Sequence, residues 1–188
     1  RQLFEFIRGD VYRDRIRRLR EAMEAGDTAK ADRMKKQLPY HTITATYVKE
    51  RLAYSLDKYQ DIITVDCDDM PAEKLPEFRQ LANDCPDTLG SFISPRMHGL
   101  KIFVYLTGKE AEALRAELNA LGTVDFPTLE RYHHRMYALA SSKYETLLNT
   151  KVDTSGSDPG RGFFVSHDPD AFFAPERLEN VKPLTVKV

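Results

Sequence analysis

The sequence has little cysteine, no long apolar run and almost no net charge, and each absence excludes a class of protein. Two cysteines, Cys67 and Cys85, are too few for a dense disulfide framework, and neither lies in a CxxC motif or a His-rich stretch that would bind structural zinc. No stretch approaches the roughly 20 apolar residues of a membrane-spanning helix, and no signal peptide is visible. We therefore expect a reduced, cytoplasmic protein with no membrane partner.

The near-neutral charge and the missing motifs narrow the function further. A formal net charge of -1 argues against a generally basic nucleic-acid coat, although it is compatible with a local basic groove. No GxxxxGK(S/T), GxSxG or HExxH motif occurs, which excludes the common P-loop, serine-hydrolase and zinc-protease sites. Because the chain begins at Arg1 and not at Met, we expect it to be part of a longer protein.

Apolar periodicity predicts a single α+β domain over residues 1–175, with a mixed or antiparallel sheet flanked by helices. Within this domain, 10–38 is a basic helical segment and 40–175 contains the sheet. After it, residues 176–188 have few apolar anchors and are expected to be an extended tail. Helices are predicted over 10–25, through Met34 and Leu38 up to Pro39, between Pro71 and Asp84, from Gly108 to Gly122, and from about Pro127 to Asn149. Strands are predicted over 41–48, 61–67, 88–94, 100–107 and 163–165.

The N-terminal segment is locally basic, since residues 1–38 contain eleven Lys or Arg against seven Asp or Glu. A solvated helix face is the plainer explanation of these charges. The alternative is that Arg13, Arg17 and Arg20 contact the backbone of single-stranded DNA.

The strand over 61–67 leads into a run of acids. Because side chains alternate along a strand, Asp66 and Asp68 share one face with Cα atoms about 6.5–7 Å apart, and Cys67 lies on the opposite, apolar face. Two carboxylates at this spacing can converge on a divalent metal ion. The alternative is that they form a turn or cap the following helix.

The turn between the strands over 88–94 and 100–107 is a second candidate site. Gly99 would let the backbone approach a ligand, Ser94 could donate a hydrogen bond, and Lys101 could bind phosphate oxygens. Taken alone, the segment is more simply a turn with surface charges.

Asp153 and Arg161 form a third candidate. Asp153 could complete a three-carboxylate cluster around two metal ions, and Arg161 is placed to neutralise a phosphate. Taken alone, Asp153 is more simply a turn residue.

The order of these blocks resembles the VirE N-terminal domain family. The blocks are a Thr-rich strand after Leu38-Pro39, Asp66-x-Asp68, Ser94-Pro95-x-x-x-Gly99-Leu100-Lys101, Asp153, and Arg161-x-x-x-x-Ser166-x-Asp168-Pro169. The resemblance covers about residues 10–175, and the family is found on bacterial proteins ahead of a helicase-like ATPase region. More distantly, the chain is similar to the archaeo-eukaryotic primase and primase-polymerase superfamily.

This resemblance implies a primase-polymerase-like nucleotidyltransferase domain that acts by a two-metal mechanism in DNA replication of mobile elements. Its implied partners are a nucleoside triphosphate, single-stranded DNA and a helicase-like ATPase region in the same full-length chain. The implied catalytic residues are the ligands of Mg²⁺ or Mn²⁺, namely Asp66, Asp68 and Asp153. The implied nucleotide-binding residues are Ser94, Gly99, Lys101, Arg161 and Ser166.

One departure from the primase pattern leaves a second function open. The His of the primase motif falls on Lys101, and a lysine differs from a histidine in geometry and proton chemistry. The alternative is therefore a catalytically inactive module that binds single-stranded DNA or positions the helicase on the same scaffold. A third explanation is an interaction domain whose acids only cap loops.

Overall fold

The computed structural model describes residues 1–52, 55–179, 181 and 184, and this part of the chain contains seven α-helices and eight strands. The helices are α1 (Gln2–Arg8), α2 (Arg13–Glu24), α3 (Thr28–Lys36), α4 (Leu75–Asp84), α5 (Lys109–Ala120), α6 (Phe126–Leu148) and α7 (Pro175–Leu178). The strands are β1 (Tyr40–His41), β2 (Ala45–Tyr47), β3 (Leu56–Tyr59), β4 (Ile63–Cys67), β5 (Thr88–Ile93), β6 (Leu100–Val104), β7 (Phe163–Phe164) and β8 (Phe172–Phe173). Within the described residues, no helix is both long and apolar enough to cross a membrane.

A four-stranded antiparallel sheet with the order β4-β6-β5-β8 forms the centre of the fold. Two antiparallel ribbons, β1-β7 and β2-β3, lie outside it. In the sheet, Leu100 pairs with Cys67 on one side and with Ile93 on the other. The end of β4, the start of β6 and the end of β5 therefore meet at one edge. The predicted α+β class is confirmed.

Side-chain alternation gives the central sheet two buried faces. Val65 and Ile102 lie on one face, in a cluster with residues of α4, α5 and α6. Phe103 lies on the other face and packs in a second cluster with residues of α1 and β7. Because Asp66 pairs with Lys101 in register and both alternate with the first set, they lie on the second face. A strand covered on both faces reads as a nearly continuous apolar run, as observed in β4 and β6.

Helices α2 and α3 form a hairpin that carries the basic N-terminal residues. Helix α2 buries Ile16 and Leu19 and follows a 3₁₀ turn over Asp10–Tyr12. Helix α3 begins after Asp27, whose carboxylate accepts a hydrogen bond from the Lys30 amide at 3.0 Å. Both helices contribute to a third apolar cluster beside β7. The predicted amphipathic helix and the break before α3 are thus confirmed.

Several element boundaries differ from the sequence expectation. The predicted strand over 41–48 is divided, because Tyr40 pairs with Phe164 whereas Ala45 pairs with Tyr59. The short elements α1, β3 and β8 were not predicted, since two to seven residues carry too little periodicity to be recognised.

The expected extended tail also differs at its start. Helix α7 occupies its first residues, and Arg177 donates hydrogen bonds to the carbonyls of Asn83, Cys85 and Thr88 at 3.2, 2.8 and 2.7 Å. These bonds anchor the segment beside β5. Residues 180, 182, 183 and 185–188 of the tail lie outside the described residues.

Candidate functional site

The structure brings Asp66, Asp68 and Asp153 together at the edge where β4 and β6 meet. One carboxylate oxygen from each residue lies within 4.8 Å of the other two. Asp66 lies near the end of β4 and Asp68 directly follows the strand, and the Asp153 amide donates to the Asp66 carbonyl at 2.8 Å. Asp68 is exposed, whereas the other two are partly buried. Three convergent carboxylates form the oxygen-rich donor set that Mg²⁺ and Mn²⁺ prefer.

The turn that begins at Asp153 is held in place by helix α6. The Asp153 carboxylate accepts hydrogen bonds from the Ser155 amide at 3.0 Å and the Ser155 hydroxyl at 2.7 Å. The Tyr137 hydroxyl donates to the Asp153 carbonyl, and His133 Nε2 donates to the Gly156 carbonyl at 3.0 Å. The third acid is therefore oriented from both its side chain and its backbone.

Lys101 lies beside Asp66 on the same face of the sheet. Its ammonium group pairs with Asp66 Oδ2, and the two side chains are 8% and 15% exposed. Asp66 Oδ1 is buried and has no hydrogen-bond partner among the described residues. A buried acceptor without a partner is costly. A cation shared with Asp68 and Asp153 would satisfy this oxygen, so the donor set fits a divalent metal ion.

The carboxylates of the site differ in their electrostatic environment. Burial, followed by the negative charge of Asp66, raises the pKa of Asp68 above its ordinary value. Burial would also raise the pKa of Asp153, but hydrogen bonds from Ser155 and the positive charges of Arg161 and Lys101 lower it below its ordinary value. Repulsion between neighbouring carboxylates is the situation that a bound cation relieves.

Cys67, between the two acids of β4, belongs to the core. It is fully buried in the cluster under α4, α5 and α6. Burial, followed by the charges of Asp66 and Asp68, raises its pKa to about 12. The thiol therefore stays protonated, and its place in the core confirms the predicted apolar face.

Gly99 and Ser94 lie in the turn beside the acids. A Cβ atom on Gly99 would lie 2.7 Å from the Cys67 carbonyl oxygen and 2.8 Å from Asp68 Oδ1. The missing side chain thus permits close packing of the turn against the end of β4. The buried Ser94 closes the turn, because its amide donates to the Gly99 carbonyl at 2.9 Å. Contact of either residue with a nucleotide stays a prediction.

Arg161 and Ser166 lie in different surroundings. Arg161 is exposed, and its charge acts on Asp153, so it borders the acid cluster. Ser166 is fully buried, and its hydroxyl has no hydrogen-bond partner among the described residues. A role of Ser166 in nucleotide binding stays a prediction.

Two of the N-terminal arginines form surface ion pairs near their own position in the chain. Arg13 lies 3.6 Å from Asp10, and Arg17 lies 2.6 Å from Glu21 and 3.5 Å from Asp14. Such pairs are typical of a solvated helix face.

Arg20 has a different environment, because it joins α2 to other parts of the fold. It donates to the carbonyls of Pro95 and His167 at 3.3 and 3.0 Å, and burial lowers its pKa. A groove of about 400 Å³ lies between the arginines and the turn after β5. Its lining residues are Arg13, Arg17, Arg20, Glu21, Glu24, Met97 and His167. The lining carries both signs of charge, and DNA contact by the three arginines stays a prediction.

Asp168, which belongs to the last block of the motif, has a structural role. It is buried, and one carboxylate oxygen accepts from the Ile93 amide at 2.8 Å and from Arg79 at 2.6 Å. These bonds fix the end of β5, which leads into the Ser94 turn.

Lys35 was missed by the sequence argument. It lies at the end of α3, and its ammonium nitrogen is 5.7 Å from the centroid of the Phe164 ring. Burial, followed by repulsion from Lys101 and Arg161, lowers its pKa, whereas the charges of Asp68 and Asp66 act in the opposite direction. It therefore belongs to the same neighbourhood as the acid cluster. The neighbouring sequence does not distinguish it from the other lysines of α3.

Comparison with models of known protein families identifies the family of this chain. A model of the family described as BT4734-like, N-terminal domain matches residues 33–173. The chain belongs to this family. The BT4734-like match includes the end of α3, all eight strands and the three clustered acids, whereas α1 and α2 lie outside it. Curated proteins and solved structures gave no significant match.

Proposed function

We propose that this BT4734-like domain is a metal-dependent nucleotidyltransferase of the primase-polymerase type, which extends a DNA or RNA strand on a single-stranded DNA template. The observation that supports the proposal is the convergence of Asp66, Asp68 and Asp153 within 4.8 Å of one another, beside Lys101 and Arg161. Convergent carboxylates can hold the two metal ions that stabilise the attacking and leaving oxygens in phosphoryl transfer. The resemblance to VirE N-terminal domains and to primases points to the same reaction.

The residues of the chain have distinct tasks in this mechanism. Bound Mg²⁺ or Mn²⁺ would act as a Lewis acid that lowers the pKa of a primer 3′-hydroxyl. Asp66, Asp68 and Asp153 would hold the ions, and Lys101 and Arg161 would offset negative charge on the departing pyrophosphate. The 3′-oxygen bonds to the α-phosphorus, the bond to the bridging oxygen breaks, and the hydroxyl proton passes to solvent.

The proposed partners follow from the same resemblance. Single-stranded DNA would be the template, with Arg13, Arg17 and Arg20 on the side of α2 as backbone contacts. A helicase-like ATPase region in the same full-length chain would expose that template during replication of a mobile element.

Nucleotide incorporation with Mn²⁺ on a primed single-stranded template tests the proposal. Asp66→Asn and Asp68→Asn should lower the rate by about 100-fold or more, because each removes a charged metal ligand. Asp69→Asn is the matched control, since Asp69 is exposed, has a positive φ of 54° that Asn tolerates, and lies outside the cluster. Equal activity in wild type, Asp66→Asn and Asp69→Asn would refute the assigned mechanism.

The second candidate is an inactive module that binds single-stranded DNA or positions a helicase. The ion pair between Lys101 and Asp66 favours it, because Lys101 stands where the primase motif has His and already neutralises one of the acids. This candidate predicts salt-sensitive DNA binding without incorporation, and binding that survives Asp66→Asn.

A further inference from the structure

Three positive side chains border the acid cluster, and each comes from a different part of the fold. Lys101 belongs to β6, Arg161 to the loop before β7, and Lys35 to the end of α3. The charges of Lys101 and Arg161 act both on Asp153 and on Lys35, so the three cations share one neighbourhood with the acids. The site therefore has a cationic half, which the sequence argument only partly recognised.

The β1-β7 ribbon explains how α3 reaches this neighbourhood. The Phe163 ring packs on Phe103 at 5.0 Å between centroids, and Phe103 lies two residues from Lys101 on the same face of β6. Phe164 is the next residue, and alternation turns it away from the sheet toward α3. The centroid of its ring lies 5.7 Å from the Lys35 ammonium nitrogen. The ribbon thus spaces Lys35 from the sheet by one aromatic layer.

A second contact ties α3 to the site. Arg96, in the turn between β5 and β6, forms an ion pair with Asp32, which lies about one helical turn before Lys35. The same turn contains Ser94 and Gly99. The end of α3 is therefore fastened to the edge of the sheet that carries the acids, so Lys35 is not a freely placed surface residue.

In the part of the chain that the structure describes, Lys35 and Arg161 make no direct side-chain ion pair, although both feel the charge of the clustered acids. The Lys35 ammonium group lies over the Phe164 ring. Neither the Lys35 nor the Arg161 side chain forms an ion pair or hydrogen bond with any residue in the described part of the chain. Lys35 is also half-buried, and burial together with repulsion from Lys101 disfavours its charged form. Side chains that make no direct ion pair keep their N–H donors available, and an incoming polyanion would bind them through charge-assisted hydrogen bonds.

We propose that Lys35 is a phosphate-binding residue, which acts with Lys101 and Arg161 on the outer phosphates of a metal-bound nucleoside triphosphate. The inference rests on the proposed function, because the nucleotide class comes from it, but it concerns binding and needs no turnover. A triphosphate with its metal ions brings both signs of charge, and the site offers acids for the metal and lysine and arginine for the phosphates. A monophosphate lacks the outer phosphates, so Lys35 should affect its binding little.

Titration of a fluorescent ATP analogue and of the matching AMP analogue, each with Mn²⁺, tests this inference. Lys35→Met removes the charge and keeps an unbranched side chain on Phe164, and Lys36→Met is the matched control because Lys36 is the exposed neighbour. Lys35→Met should weaken triphosphate binding by about tenfold or more and monophosphate binding by less than about threefold. Lys36→Met should match wild type, and Lys35→Arg should recover part of the affinity.

Each outcome decides a separate point. Unchanged triphosphate affinity in Lys35→Met, with wild type binding normally, would overturn the role of Lys35 and leave the proposed function standing. Equal losses for both nucleotides would also overturn it. If the wild-type protein binds no nucleotide with Mn²⁺, both proposals are overturned. If the variants show the expected binding pattern but wild type incorporates no nucleotide, only the proposed nucleotidyltransferase activity is overturned. Lys35→Gln repeats the test, so a folding defect in one variant does not decide it.

Discussion

Asp61 is a single buried charge that depends on its neighbours. It is fully buried, has a positive φ of 56°, and accepts hydrogen bonds from Arg115 and, at 2.9 Å, from the Tyr132 hydroxyl. Burial raises the pKa of this carboxyl, and Arg115 lowers it. Arg115→Met should therefore destabilise the protein by about 3–5 kcal/mol in urea unfolding, because it leaves a buried carboxylate without its counter-ion.

An exposed pair provides the control at the same scale. Arg135 lies 3.3 Å from Glu117, and both side chains are more than half exposed. Arg135→Met should change the free energy of unfolding by less than about 1 kcal/mol. If Arg115→Met is as mild as Arg135→Met, the buried pair does not hold Asp61 ionised in the folded protein.

Side chains of helix α6 hold the turn that carries Asp153. One of them, His133, makes the stability of the fold sensitive to pH. His133 is fully buried, accepts from the Tyr59 hydroxyl at 2.8 Å and donates to Gly156. Burial lowers its pKa from 6.5 to about 4. Below pH 6.5 the unfolded chain binds a proton that the folded chain does not, so the stabilisation present above that pH is lost as the pH falls toward 4.

Urea unfolding of wild type and His133→Gln at about pH 7 and about pH 4.5 measures this effect. Wild type should lose about 2–3 kcal/mol more than His133→Gln between the two pH values, since the variant cannot titrate at this position. The carboxyl groups titrate in both proteins, so their contributions to the loss of unfolding free energy cancel in the comparison. Parallel losses would mean that the folded protein accommodates a charged His133.

The whole molecule has a hydrophobic core that extends beyond the segment matched by the family model. The match begins at residue 33, but helices that precede this residue contribute to the core. Phe4 of α1 stacks on Phe173 at 4.9 Å and meets Phe103 and Phe92 edge-on at 6.0 and 6.5 Å. A Cβ atom on Gly90 would lie 2.3 Å from the Phe4 ring, which shows how closely α1 covers the sheet. Without residues 1–32 this face would be open to water.

Substitution of Phe4 measures that contribution. Phe4→Ala should lower the free energy of unfolding by about 3–5 kcal/mol, because it leaves a cavity among aromatic rings. Phe6→Ala is the control on the same helix, since Phe6 is 49% exposed, and it should cost less than about 1 kcal/mol. A loss below about 1 kcal/mol for Phe4→Ala would show that the Phe4 ring contributes little to the stability of the sheet.

Local patterns were sufficient for residues whose neighbours lie on the same strand. Alternation alone predicted that Asp66 and Asp68 share one face and that Cys67 lies on the opposite, apolar face, because the period of a strand is two residues. Lys35 and Asp61 could not be found in this way. Their environments come from packing between segments far apart in the chain, and nothing in the neighbouring residues distinguishes Lys35 from other lysines of α3.

The position of Asp153 has a consequence for how the protein is made. Asp66 and Asp68 leave the ribosome early, but their partner follows only after α4, α5 and α6 have all been synthesised. A nascent or prematurely terminated chain that stops within α6 would carry two of the clustered acids and not the third. If the cluster binds divalent ions as proposed, such a truncated product would lack one of the three ligands and would bind them more weakly than the full chain.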